Sequence, residues 1–303
     1  MAETLQDIIK KLRPNLSDNT IRTYISIIRS LHRKMNPNSP YLVSAEDIVD
    51  FFRTQHKKVL EYLKDVEFNK RKTILASLVV LCADEECVKH YREQMLKDAT
   101  KYNEQQRGQT KTQTQKDNWM SQDNVMKIYR KLYKDVSPLF RVDKLTSKQL
   151  QELQNLVILS VYTQIPPRRL LDYTSFKLRN VDKAKDNYMD KRTFVFNQYK
   201  TANKYNQQTV QIPQRLRNII LKWESKHKND YLLFDENGKP LSAPRLTLKL
   251  NKIFGGKKIS VNILRHIYIT DKVLDNAPAL RKLDEIAEEM GHSTGQQALY
   301  RKL

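Results

Sequence analysis

Apolar residues recur every three to four positions through the first hundred residues, the spacing that lays one face of a helix against a core. Ile21, Tyr24, Ile25, Ile28 and Leu31 form one such stripe, and Ile74, Leu75, Leu78 and Leu81 another. Helices are predicted over 3–13, 18–35, 45–63, 67–82 and 85–102. Ser17 and Ser44 stand at N-cap positions, and Ser44 to Asp47 fits a capping box, in which side chains satisfy the orphan N–H groups of the first turn. The pattern reads as a helical bundle.

The periodicity stops at Glu104. Residues 104–118 hold no apolar side chain and are rich in Gln and Thr, so the stretch has no face to bury and is predicted to be an extended linker. Domains are therefore expected at 1–103 and 119–303. A linker of this length, carrying Arg107, Lys111 and Lys116, suits a protein that closes around a duplex.

Beyond it, Ser121 caps a helix reaching about Lys134, and Ser147 to Tyr162 forms a strongly apolar one. Pro166 and Pro167 end that helix, and Arg168 and Arg169 are expected on a new helical turn. Thr193 to Ile212 alternates as two β-runs around a polar turn, which is a hairpin. Helical spacing returns from Pro213 to Lys226, after Ser242 and after Ser260, with Asp230–Phe234 a short buried segment and Asp235–Pro240 a turn. A further helix is predicted from about Ala279 to the break at Gly291, with Tyr300 on a last short segment. The fold class is mainly α with a small antiparallel β-sheet. The sequence shows no internal repeat, Gly-rich phosphate loop, His/Cys metal cluster or paired-carboxylate site.

Composition narrows the function. At 303 residues, 39% hydrophobic and 29% charged, the chain has the length for two globular domains with real cores. No apolar run approaches membrane-spanning length, and Met1 to Asp7 lacks the basic-then-apolar order of a secretory signal, so an intracellular protein is expected. Cys82 and Cys87 have no companion Cys pair and read as packing residues. The net charge is +21, an excess that binds polyanions by releasing their counterions. It is uneven: residues 1–103 carry 18 Lys and Arg against 14 Asp and Glu, leaving 37 against 20 for residues 104–303. Nucleic acid is the natural partner.

One apolar run carries the chemistry. Arg265 and His266 interrupt Val261, Ile263, Leu264, Ile267 and Ile269, and a cation buried there calls for an anion. Leu264-Arg265-His266, then Gly291-His292-Ser293, then Tyr300 resembles the catalytic end of the tyrosine recombinase (phage integrase) family. Asn19 to Tyr24 is similar to the opening of that family's helical core-binding domain, so the likeness extends over nearly the whole chain.

The resemblance implies a helical core-binding domain followed by an α-rich catalytic domain, and a site-specific recombinase of a mobile element or virus. Such an enzyme works on double-stranded DNA as a tetramer on paired sites, without metal or nucleotide cofactor, in the nucleus where the host is a eukaryote. Tyr300 is then the nucleophile and forms a 3′-phosphotyrosyl link. Arg169 and Arg265 grip the non-bridging oxygens, His292 adds a donor, and Lys200 protonates the leaving 5′-oxygen. Arg169 is chosen over Arg168 because Asp172 lies three residues on, the family's offset; Lys200 is placed at the end of the first hairpin strand, with Lys204 as its alternative. Asn262 stands where the family carries His or Lys, and His266 completes the set. A type IB topoisomerase shares this chemistry, and a DNA-binding relative with a decayed site is a third reading, for which Asn262 is the argument.

Overall fold

Thr4 and Asp7 close a reciprocal capping box on the first helix, α1 (Leu5–Leu12), and the amphipathic pattern then runs through α2 (Asp18–Met35), α3 (Ala45–Thr54), α4 (His56–Leu63), α5 (Phe68–Leu81) and α6 (Glu85–Arg107). The structure is a computed structural model and describes residues 3–38, 43–82, 85–108 and 110–273. It divides into two compact units, Met1–Thr110 and Lys111–Leu303.

In the first unit the stripes seen in the sequence turn inward: Ile21, Ile28 and Leu31 of α2 meet Leu75, Leu78 and Leu81 of α5 in one buried cluster. Each such side chain contributes about 1.5–3 kcal/mol when fully buried. The expected helix over 45–63 is two, broken at Gln55, whose N–H closes α3 on the Phe51 carbonyl. A buried ion pair crosses α5 and α6. Arg71 donates through Nε and Nη2 to the two oxygens of Asp98, both at 2.7 Å, and its Nη1 reaches the Lys64 carbonyl at the end of α4.

The stretch expected as an extended linker is partly helical. Its first residues continue α6 to Arg107, and α7 (Gln113–Asn118) follows. Thr112 and Gln115 cap α7 reciprocally, so polar side chains satisfy the helix end where no apolar face exists to hold it.

The second unit is built around α9 (Ser147–Thr163), which buries Leu153, Leu156, Val157, Ile158, Leu159, Val161 and Tyr162. A helix apolar on every side belongs in the middle of a core. Around it pack α8 (Gln122–Val136), α12 (Gln214–Glu224) and α13 (Ala243–Ile253). The antiparallel sheet has three strands in the order β1 (Tyr188–Asp190), β2 (Thr193–Phe196), β3 (Gln208–Gln211). Phe194 and Phe196 of β2 join Tyr173 and Phe176 in an edge-to-face aromatic cluster. The last described elements are α14 (Val261–Tyr268), capped by Ser260, and a π-helical turn, Ile269–Val273. Asp271 accepts from the Gln122 N–H at 2.7 Å and Asn118 from the Lys258 N–H at 2.7 Å, which ties both ends of the α14 region to α7 and α8. Among the described residues no helix is long and apolar enough to cross a membrane.

Candidate active site

The charges of three arginines act on one buried carboxylate. Pro166 and Pro167 do end α9, but Arg168 and Arg169 lie on irregular chain rather than on a helical turn, ahead of the four-residue helix α10 (Leu171–Thr174). Arg168 donates from Nε to Asp172 Oδ2 at 2.8 Å and from Nη2 to Gln208 Oε1 of β3 at 3.0 Å. Its guanidinium lies 4.0 Å over the Phe196 ring. The expected partner of Asp172 was Arg169; the structure gives that carboxylate to Arg168. The aromatic face of Phe196 holds the Arg168 fork flat, with Nε turned toward Asp172, so the residue four positions away pairs and the one three away does not.

Asp172 is 2% exposed, and its Oδ1 accepts no hydrogen bond among the described residues. Burial pushes its carboxyl up from the usual carboxylate range, while the charges of Arg168, Arg169 and Arg265 pull it down. Arg265 therefore stands near the same carboxylate as Arg168 and Arg169, although almost a hundred residues separate them in the chain.

Arg265 comes from α14, whose Val261, Ile263, Leu264 and Ile267 are buried. Asn262, Arg265 and His266 follow at helical spacing on the other side: Asn262 and His266 are exposed and Arg265 half-buried. His266 is thus no part of the apolar core, and Ile269, expected to continue the buried run, is 46% exposed. Arg169 is also half-buried. Neither Arg169 nor Arg265 has a carboxylate or hydrogen-bond partner among the described residues, in contrast to Arg168.

Lys200 is not at the end of a strand. Strand β2 stops at Phe196, and Lys200 lies exposed in the connection to β3, followed by the short helix α11 (Ala202–Tyr205). The strand ends there because a side chain takes over from the ladder. Asn187, 1% exposed, accepts from the Asn197 and Gln198 N–H groups at 2.8 and 2.7 Å. Its Nδ2 donates to the Asp172 and Gln198 carbonyls at 3.0 and 2.7 Å. One amide thus fastens the chain entering the Lys200 segment to the backbone of the arginine segment. Sequence reading missed Asn187; an Asn just before a β-run was its only signal. Lys204 falls in α11, and its side chain lies outside what the structure describes. Tyr300 and His292 lie outside the described residues, as does the helix predicted from about Ala279.

In the first unit a groove between α1 and α2 is lined by Arg22, Arg29, Arg33 and Lys34 with Ser26 and Ser30. Their spacing along α2 makes one basic stripe, opposite the buried Ile21, Ile28 and Leu31.

No family model and no curated protein sequence matches this chain. Among solved structures, it is similar to the crystal structure of a lambda integrase (75-356) dimer bound to a COC′ core site. The identity is 14%, the match covers 90% of this chain and 94% of that one, and the TM-score is 0.44.

Proposed function

We propose that this chain is a site-specific tyrosine recombinase that cleaves and rejoins strands of double-stranded DNA through a 3′-phosphotyrosyl intermediate. The observation that carries the reading is the pair Arg169 and Arg265, half-buried cations from distant parts of the chain that stand near one carboxylate already taken by Arg168. Cations that have no acid partner of their own among the described residues are set for an anion brought from outside, and a phosphodiester fits the bidentate guanidinium fork.

In this mechanism the Tyr300 oxygen attacks the phosphorus and the 5′-oxygen leaves. Arg169 and Arg265 hold the charge that develops on the non-bridging oxygens, and His292 adds a donor there. Lys200 gives the leaving oxygen its proton, a task suited to a flexible, exposed ammonium that DNA orders on binding. Asn262 and His266 lie on the Arg265 side of α14, where Asn262 offers an amide in the place of a basic group. The covalent link conserves the bond energy, so a second 5′-hydroxyl reverses the step. The basic stripe of α2 provides a track for phosphates, the unit from Lys111 onward carries the chemistry, and the enzyme acts inside the cell as a homotetramer on paired sites.

The test is a denaturing gel of the protein with a nicked duplex carrying a candidate site. A protein–DNA adduct that survives detergent is expected, with Arg169→Ala and Arg265→Ala each losing it by at least about a hundredfold. Undiminished adduct in both variants would remove the anion-gripping role; no adduct on any duplex would remove the reading.

A further inference from the structure

In the first unit the sulfur atoms of Cys82 and Cys87 lie 2.7 Å apart. Both are buried thiols, as packing residues would be, but their contact is closer than packing requires and only about 0.7 Å longer than a disulfide bond. Cys82 follows the last residue of α5, and Cys87 is in the first turn of α6. The Cys87 thiol also faces the Phe52 carbonyl at 3.6 Å, which the Tyr91 hydroxyl already occupies at 2.8 Å. Losing the Cys87 S–H therefore leaves that carbonyl satisfied.

Access comes from the surroundings. Cys82 lines an open pocket whose wall, among the described residues, includes Arg13, Lys89, Arg92 and Glu93. The pocket opens beside Cys82, and the Cys87 sulfur lies in contact with the Cys82 sulfur.

We propose that Cys82 and Cys87 are a reversible redox pair that forms an intramolecular disulfide by exchange with a small-molecule disulfide of the glutathione class. The Cys82 thiolate attacks one sulfur of that molecule, forming a mixed disulfide and releasing one thiolate. The Cys87 thiolate then attacks Cys82 Sγ, breaking the mixed disulfide and releasing the second. The two protein thiols are oxidised, the small disulfide is reduced to two thiols, and the two protons pass to them. In a reducing compartment the pair stays as thiols; as the glutathione pool oxidises, the bond closes. It joins the end of α5 to the first turn of α6, and so stiffens a unit that holds none of the proposed cleavage residues.

The full chain is equilibrated with mixtures of oxidised and reduced glutathione, quenched with acid, denatured, alkylated and mapped by peptide mass spectrometry. Both alkylatable thiols should vanish together, the peptides should be joined Cys82 to Cys87, and dithiothreitol should restore both. The oxidised chain should also melt at a higher temperature. Cys82→Ser and Cys87→Ser should each leave at most one glutathione adduct and no internal bond. The proposal is overturned if both thiols stay alkylatable in oxidised glutathione, if each takes up glutathione separately, or if bonds form only between chains. The wild-type mapping decides this even where a serine variant fails to fold.

Discussion

Arg168 and Arg169 are neighbours in the chain with opposite engagements. Removing Arg168 leaves Asp172 buried without its partner, whereas removing Arg169 breaks no described contact. Arg168→Ala should therefore destabilise the second unit by about 3–5 kcal/mol, and Arg169→Ala by no more than about 0.5 kcal/mol. Urea unfolding followed by tryptophan fluorescence measures this unit alone, because Trp119 and Trp223 both belong to it. Equal costs would mean that the two side chains exchange roles. The sequence showed two arginines and an acid but not which pairs, since that depends on Phe196, which comes from a strand well downstream. A second residue sets acid sensitivity. Burial between Trp223 and Phe234, and then the charge of Arg179, push His227 down to about 4 from 6.5. The unfolded chain takes up this proton near pH 6.5 and the folded one not until about 4, so stability is lost as pH falls through that window. The loss is roughly 2 kcal/mol, after discounting a linkage of about 3 for the partly exposed ring. His227→Gln should flatten the dependence between those limits, and an unchanged slope would place the sensitivity elsewhere.

Helices were the most legible elements, because their stripes and caps are local. Ser17, Ser44, Ser121 and Ser260 all stand as N-caps. The linker was misread for a physical reason. Lack of an apolar face excludes burial but not a short helix, and Thr112 and Gln115 had the spacing of a capping box. Strand β1, three residues long, gave too little alternation to read, and the end of β2 depends on a side chain outside the hairpin. That side chain makes a prediction at this scale. Asn187→Leu strips partners from the Asn197 and Gln198 N–H groups and the Asp172 carbonyl, and orphaning buried groups costs about 1–3 kcal/mol each. A destabilisation of about 3 kcal/mol or more is expected, with faster tryptic cleavage after Lys200 in the folded protein. Wild-type cleavage kinetics would contradict the tie between the arginine segment and the Lys200 connection.

At the scale of the whole molecule, the mainly helical class with a small sheet was legible from period and length, while the charge points to the proposed polyanionic partner. The excess of 37 basic over 20 acidic residues after residue 103 sits in the part that carries the arginine site. DNA binding should therefore weaken by on the order of a thousandfold between 50 and 200 mM salt if six or more phosphates are contacted. Arg22→Ala and Arg29→Ala should each reduce the slope of log affinity against log salt by about one, and a slope near zero would exclude a phosphate-binding surface. The convergence of Arg169 and Arg265 was legible only through the motif order, since nothing local in either segment points to the other. Cleavage itself turns on the attacking atom. The most direct measurement is proteolysis of the covalent adduct followed by mass spectrometry of the DNA-linked peptide. The account predicts nucleotide on the peptide containing Tyr300, linked through a 3′-phosphate, and none with Tyr300→Phe. A link at Tyr268, or a 5′-phosphate at any residue, would contradict it.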